Sequence, residues 1–329
     1  MTNENQDIFG NIIERPNKEI GVNLYCDEIK SVRSPVTNDK WHYIGIFIVP
    51  VDFEKDLLID LDKARYFKEY SSHNDLSKID LNYYEQNNCK IHFVDLDARM
   101  YHVANRWHKY ILHRDSSNKI HFSILGINES KLDISAFGGN DFITIYNRFF
   151  RTAVAYPLLK FFPGHKITVN DIFHEVGDQK NDDLFPWHSI FKINSEEKWP
   201  IYFKNQEIKF LEKDHGVNSR GNFIQLIDLI LGATRVMFDG ISNPKSSNGK
   251  FKNQITESFS ELISRLVNNP DNPNSNYCLN YHKRMNLSFF PYNRIGLSSE
   301  YGDISKRMGE FYKRKGEMNF LNKHQQSLF

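Results

Sequence analysis

The sequence predicts a mixed α/β sheet flanked by helices, followed by a mostly helical C-terminal extension. Two apolar, β-branched runs come first, at residues 21–28 and 41–49, and both have the composition of strands. Further strand-like runs then alternate with segments of helical spacing, among them the long apolar segment 141–162. Strands that alternate with helices are typical of a sheet covered by helices, so this class of fold is expected.

The predicted elements begin with two strands. The strand at 21–28 alternates its side chains between two faces and ends in two adjacent acids. Residues 41–49 form an apolar strand that is bounded by Pro50. Apolar spacing and turn residues predict the later elements: helices over 52–70, 97–114 and 141–162 (the last bent or interrupted near Pro157), strands over 119–127, 165–178 and 206–216, and helices over 222–238 and 254–267.

Composition divides the chain into three parts. Residues 1–20 are polar and predicted to be a flexible N-terminus, residues 21–240 form the main domain, and residues 241–329 hold a linker and the helical extension. Pro, Ser, Gly and Asn punctuate the linker candidate at 239–254. From residue 250 onward there are twelve Lys and Arg against seven Asp and Glu, so the extension is either a solvated appendage or a surface for nucleic acid or a protein partner.

Charge and hydropathy exclude several classes of protein. The 42 Lys and Arg nearly balance the 41 Asp and Glu, so binding to nucleic acid would depend on local patches. Three scattered cysteines without a C-x-x-C pair argue against a disulfide framework and suit a reducing cytoplasm. No signal-peptide pattern occurs, and no apolar run approaches the roughly 18 residues of a membrane helix. We therefore expect a soluble cytoplasmic protein without a membrane partner.

A polar stripe on the helix 222–238 is the most informative feature besides the first strand. The helix is otherwise apolar, and the spacings of three, four, three and four residues place the polar positions on one face. The stripe consists of Gln225, Asp228, Gly232, Arg235 and Asp239. An aspartate among isoleucines and leucines is costly to bury unless it is paired. Asp228 is therefore a metal ligand or catalytic acid, or it pairs with Arg235 or lies at the solvent edge.

Gln225 also has two interpretations. Asn222 and Gln225 are three residues apart, which is the spacing of a capping box at the start of a helix. Alternatively, Gln225 lies on the same face as Asp228 and orients a ligand or a substrate.

Acids also occur at the ends of two predicted strands. Asp27 and Glu28 end the first strand and point to opposite faces, so both can enter one site only if the strand breaks there. Asp27 is the preferred ligand. Glu175 and Asp178 lie at the end of the strand 165–178, with Asp182 and Asp183 in the loop after it. Either one of these acids joins the site, or all four are solvated loop residues.

Carboxylates that converge from separate elements are what two-metal phosphoryl transfer requires. Such carboxylates hold two ions about 3.5–4 Å apart, which activate water and stabilise the leaving oxygen. Hard oxygen ligands select Mg²⁺ or Mn²⁺. The histidines between His92 and His121 show no i, i+4 metal pair, and there is no G-x-S-x-G motif, so neither zinc nor serine chemistry is supported.

Three stretches resemble one known family. "YCDE" in the first strand, "IHF" at 91–93 and "IQLIDLILGA" on the late helix are similar to the motifs of the domain of unknown function 3800 (DUF3800) family. The resemblance covers roughly residues 20–240. It implies a ribonuclease-H-like fold and a metal-dependent nuclease, often in antiviral defence or mobile elements.

Carried onto this chain, the resemblance implies roles for individual residues. It makes Asp27, Glu28, Asp228 and one of Glu175 or Asp178 the catalytic acids, with Mg²⁺ or Mn²⁺ held by Asp27, Glu175, Asp178 and Asp228. The residues expected to orient the substrate, DNA or RNA, are Gln225, His92, Asp214, His215 and Arg235.

Two positions depart from the family pattern and keep an alternative open. The serine that follows Asp-Glu in the family is Ile29 here, and Lys90 replaces an acid often found two residues before the histidine. The alternative is a catalytically impaired nucleic-acid-binding or scaffold subunit of the same fold. A partner protein or a homo-oligomer is compatible with both interpretations, and a small-molecule phosphohydrolase ranks third.

Overall fold

A seven-stranded mixed sheet forms the centre of the protein in a computed structural model. The structure describes residues 18–34, 38–116, 119–132, 142–177, 187–196, 199–239, 245–268 and 283–290. The strands are β1 (Lys18–Arg33), β2 (Lys40–Pro50), β3 (His121–Asn128), β4 (His165–Glu175), β5 (Ile201–Phe203), β6 (Ile208–Leu211) and β7 (Met285–Phe290). The helices are α1 (Val51–Tyr66), α2 (Leu81–Asn87), α3 (Ala98–Leu112), α4 (Phe142–Phe161), α5 (Trp187–Phe191), α6 (Gly221–Asp239) and α7 (Ser247–Asn268).

The strand order is β5-β4-β1-β2-β3-β7, and β6 also pairs with β4. β2 is antiparallel to both β1 and β3. β4 is parallel to β1, β5 and β6 are parallel to β4, and β7 is parallel to β3. The predicted mixed sheet flanked by helices is therefore confirmed. Because β1 is in the middle of the sheet, an acid on this strand is surrounded by structure on both sides.

Each face of the sheet has its own layer of helices. On one face, Tyr25 and Phe173 belong to a core shared with α1, α3, α6 and α7. On the other face, Leu24 and Ile172 pack in a second core with α4 and α5. Odd and even positions of β1 and β4 thus point to opposite layers, as the alternation of their sequences predicts.

Several predicted boundaries change in the structure. β1 continues to Arg33 with an irregular register between Ile29 and Val32, instead of ending at residue 28. The polar segment between the predicted helices 52–70 and 97–114 contains α2, whose start is capped by the Asp80 side chain. The strand predicted over 206–216 ends at Leu211, so the following charged residues lie in a loop. α4 is continuous through Pro157.

The region after residue 240 contributes to the main sheet. α7 begins at residue 247, so the linker prediction is wrong for 247–254, and this helix packs against α6. β7 pairs with β3 from Phe122↔Met285 to Ile127↔Phe290. The N-terminus at 1–17 and the basic tail after residue 290 lie outside the described residues.

One described helix has the length and apolarity of a membrane span. The window Gly221–Phe238 has a mean hydropathy of 1.2, and 89% of it is buried inside the fold. Packing of α6 between the sheet and its neighbouring helices accounts for this composition.

Two buried histidines make stability depend on pH. Burial lowers the pKa of His108 to about 4, helped by the charge of Lys109, and burial likewise lowers that of His121 to about 4, helped by Arg284. Since an unfolded histidine has a pKa of about 6.5, the unfolded state binds more protons below that pH, and stability falls as pH drops from about 6.5 to 4. We expect each histidine to contribute a loss of about 2 kcal/mol between pH 7.5 and pH 5.

Urea unfolding at both pH values measures this loss. His108→Gln should reduce the difference between the two pH values by about 2 kcal/mol, whereas the exposed His102→Gln should leave it unchanged. A His108→Gln protein with the full wild-type pH dependence would contradict the assignment.

Candidate active site

Asp27 and Glu175 lie next to each other on neighbouring parallel strands. The β1–β4 register runs to Cys26↔His174, so the next residue on each strand is an acid. Both acids are on the face of the sheet that α6 covers, together with Tyr25 and Phe173. Asp27 is only 3% exposed, while Glu175 is partly open to solvent.

A third carboxylate and a lysine complete the cluster. Asp228 reaches the same point from α6, and Lys213 enters from the loop after β6. The Lys213 Nζ lies 2.8 Å from Glu175 Oε1, 3.1 Å from Asp228 Oδ1 and 3.4 Å from Asp27 Oδ2. Because all three distances share one nitrogen atom, the three carboxylates converge on a single cationic position. We call these four residues the carboxylate cluster.

The Lys213 ammonium is enclosed by the three acids. Its side chain is 1% exposed, and its closest carboxylate contact is the one of 2.8 Å with Glu175. Burial lowers the pKa of Lys213, but Asp27, Asp228 and Glu175 more than compensate and raise it above its usual value. The lysine is therefore charged and acts as the cation that the three acids surround.

Asp27 and Glu175 behave as a coupled pair of acids. Burial raises the pKa of Asp27 well above its usual value against the opposing charge of Lys213, and Asp228 and Glu175 raise it further. Burial also acts to raise the pKa of Glu175, but the hydrogen bond with Asp27 and the charge of Lys213 lower it overall. Of the two acids, Asp27 therefore binds a proton more readily than Glu175 does.

The polar stripe on α6 holds the segment 87–93 against the helix. The Gln225 Oε1 accepts a hydrogen bond of 2.7 Å from the Ile91 N–H, and the Asp228 Oδ2 accepts one of 2.7 Å from the Phe93 N–H. The Phe93 ring lies directly over Gly232, where a Cβ atom would collide with it. Two of the stretches that resemble DUF3800 motifs, "IHF" and the late helix, thus contact each other directly.

A buried arginine bonds to both sides of the contact between α6 and the segment 87–93. The Arg65 guanidinium is fully buried, and it donates to the Cys89 carbonyl at 2.7 Å, to Asn222 Oδ1 at 2.9 Å and to Gln225 Oε1 at 3.3 Å. The Gln225 Nε2 donates to the Asp214 carbonyl at 2.6 Å. Gln225 and Asn222 therefore bind neighbouring segments, and the structure gives no capping-box bond between them.

Glu28 is not brought into the cluster. β1 stays paired with β2 at Glu28↔Ile44 and Ile29↔Tyr43, so the strand does not break where Glu28 would have to turn inward. Glu28 points to the opposite face, where its Oε2 lies 3.6 Å from His42 Nε2. Asp178, together with the loop acids after it, lies outside the described residues.

The predicted substrate-orienting residues take different positions. His92 lies at the rim, with its Nε2 3.8 Å from Asp228 Oδ1 and its Nδ1 3.0 Å from Asp95 Oδ2. Asp214 and His215 follow Lys213 and line a groove of about 920 Å³ that adjoins the cluster without containing its acids. Arg235 is half-buried and lies two turns after Asp228 on α6. The ion pair of Asp228 at 3.1 Å is formed with Lys213.

The donor set suits a hard divalent cation, although no complete metal cage is formed. Within the part of the chain that the structure describes, no group of three His, Cys, Asp or Glu side chains is arranged to hold a metal ion. The three carboxylates instead surround the enclosed Lys213 nitrogen. Carboxylate oxygens are the ligand type of Mg²⁺ and Mn²⁺, so these residues could hold such an ion only if Lys213 left this position.

Lys213 and Arg65 are the functional residues that the sequence analysis missed. Lys213 lies in the charged run "EKDH", which has the composition of a solvated loop. A signal for Arg65 exists, because it lies four residues after Leu61 on the apolar face of the predicted α1. A polar residue on an apolar helix face requires partners, and Arg65 finds them.

No protein-family model matches the chain, and no curated protein is similar to it in sequence. The fold defines an α/β protein with a mixed sheet. Its membership of a particular family stays a prediction.

Proposed function

We propose that the protein is a Mg²⁺- or Mn²⁺-dependent nuclease with a ribonuclease-H-like core, acting on DNA or RNA in the cytoplasm. The observation that carries the proposal is the convergence of Asp27, Glu175 and Asp228 on one cationic position. Support also comes from the direct contact between the late helix and the "IHF" segment. We infer a role in antiviral defence or in a mobile element from the DUF3800 resemblance alone.

Three residues would hold the metal in this proposal. Asp27, Glu175 and Asp228 supply the ligand oxygens, and the side chain of Lys213 leaves the position that its ammonium group occupies. A bound ion of this kind activates water and stabilises the leaving oxygen of a phosphodiester. Burial raises the pKa of Asp27, and cation binding needs its ionised carboxylate, so metal binding should strengthen as pH rises.

Other residues of the chain position the reactants. His92 at the rim is partly exposed and close to Asp228, so it can donate a hydrogen bond to a phosphate oxygen. Gln225 acts indirectly, because its amide fixes the backbone of Ile91 and Asp214 on either side of the cluster. Gln225 is therefore a positioning residue.

One specific observation favours the alternative of an impaired, nucleic-acid-binding subunit. Lys213 already places a buried positive charge between the three acids, so a cation occupies the centre of the cluster without a metal. A permanent ion pair would turn the former catalytic site into a structural element.

Incubation of the full chain with single- and double-stranded DNA and RNA separates the two functions. We expect at least one substrate to be cut in Mn²⁺, none in EDTA, and activity to return when Mn²⁺ is added in excess of EDTA. Gel analysis of end-labelled substrates provides the measurement. Binding of nucleic acid without cleavage of any of the four substrates, in either Mg²⁺ or Mn²⁺, would support the impaired subunit and contradict the nuclease.

A further inference from the structure

A concave basic surface lies at the end of α1, between α2 and α3. This surface, which we call the basic groove, has a volume of about 860 Å³. It is lined by Lys68, Tyr83, Glu85, Arg99, His102 and Arg106, together with the amide side chains of α2. Glu85 is the one acidic residue in the lining, against three lysine or arginine residues. The groove therefore has a local positive charge although the whole chain is nearly neutral.

The cations of the basic groove are not neutralised by carboxylates. Within the described ranges, no carboxylate forms an ion pair with Lys68, Arg99 or Arg106, nor with the exposed Lys90 nearby. The Arg99 guanidinium donates to the Gln86 carbonyl, and the Arg106 guanidinium donates to the carbonyls of the last turn of α1. These neutral acceptors fix the direction of both guanidinium groups and leave their positive charges available to an anion.

The segment 87–93 connects the basic groove to the carboxylate cluster. Asn87 lines the groove and accepts a hydrogen bond from Arg106, while Phe93 donates to Asp228 in the cluster. The six Cα–Cα steps from Asn87 to Phe93 span at most about 22 Å, so the two sites are a few nucleotides apart. Lys90 lies exposed between them.

His215 provides independent evidence that the two sites adjoin. This residue follows Lys213 of the cluster by two positions. Burial lowers its pKa, and the charges of Arg65, Arg99 and Lys90 lower it further, against Asp214. Arg99 of the groove and Lys90 of the segment are therefore close to the loop that carries Lys213.

We propose that the basic groove and Lys90 bind consecutive phosphates of a nucleic-acid strand and direct it to the carboxylate cluster. Phosphodiesters fit this surface because it offers several positive charges close together, and the two guanidinium groups are held in place by backbone carbonyls. The basic groove and Lys90 would then form the substrate path of the proposed nuclease, so their biological role rests on that function. Binding itself does not require metal.

Binding measured in EDTA tests the path independently of catalysis. A fluorescent oligonucleotide, single-stranded in one series and duplex in another, is titrated with the full chain at several salt concentrations. We expect Lys68→Gln/Lys90→Gln to bind more weakly than the wild type. The slope of log K against log salt should become less steep by about 1.4 for the single strand or about 1.8 for the duplex. Both lysines are exposed and form no ion pair with a described carboxylate, so their replacement is expected to preserve the fold.

Lys192→Gln/Lys204→Gln is the matched control, since it removes the same charge from two exposed lysines near β5. This control should keep the wild-type affinity and slope. A groove variant that binds like the control, or a wild type that binds neither oligonucleotide, would overturn the substrate path. Normal groove-dependent binding without any cleavage in Mn²⁺ would instead overturn the nuclease and retain the path.

Discussion

Asp228→Asn is expected to lower Mn²⁺-dependent cleavage by at least about 10²-fold while the fold remains intact. The carboxylate lies 3.1 Å from the cationic position at the centre of the cluster, so it is a direct ligand in the proposed metal site. Loss of one ligand charge removes several kcal/mol of transition-state stabilisation, at about 1.4 kcal/mol for each tenfold change in rate. Single-turnover cleavage of an end-labelled substrate measures the effect.

The asparagine is chosen because it separates chemistry from folding. Its side-chain carbonyl can still accept the hydrogen bond of the Phe93 N–H, which an alanine would leave unpaired at a cost of about 1–3 kcal/mol. Asp27→Asn should show the same loss of activity, and the exposed Asp56→Asn on α1 should show none. If the Asp228→Asn and Asp27→Asn proteins cleave as fast as Asp56→Asn, the cluster is not the source of the activity.

The class of fold could be predicted because the sequence carries it in local patterns. Alternation in β1 and β4 and apolar spacing in α1, α3 and α6 each correspond to one element in the structure. Short elements gave weaker signals. β5 has only three residues, and α2 lies in a polar segment whose helix is stabilised by the Asp80 cap and by arginines from α3. Such contacts between distant segments are not visible in a local window.

The acids of the site were more predictable than their surroundings. Asp27, Glu175 and Asp228 each occupy a position that is unusual for its element, and the structure brings all three to one point. Lys213 gave no such signal, because its burial depends on β6 ending beside β4, so that the following loop turns over the strand ends. Glu28 shows the opposite case. It directly follows Asp27 in the sequence, but neighbouring residues of a strand point to opposite faces, so its side chain lies on the other face of the sheet.

Lys213→Met is expected to make the stability of the protein depend on metal. In EDTA the variant should lose about 3–5 kcal/mol of unfolding free energy, because the buried Asp27 and Asp228 and the partly open Glu175 lose the cation that they surround. The charge of Lys213 lowers the pKa of Asp27 and of Glu175, so both pKa values should be higher in the folded variant than in the wild type. Its stability should therefore be retained at low pH and fall as pH rises through the range of these raised values. Chemical denaturation between pH 4.5 and pH 8 measures both effects.

Addition of Mn²⁺ distinguishes a metal site from a permanent ion pair. If the three acids are ligands, the variant should gain stability with increasing Mn²⁺ and bind the ion more tightly than the wild type, in which Lys213 competes for the same position. Lys204→Met, an exposed lysine near β5, should change stability by less than about 0.5 kcal/mol and leave the response to Mn²⁺ unaltered. A Lys213→Met protein that is destabilised but gains no stability from Mn²⁺ would contradict the metal site. In this variant the three carboxylates no longer have Lys213 as a competitor, so a failure to bind Mn²⁺ would show that the cluster binds the lysine and not the metal.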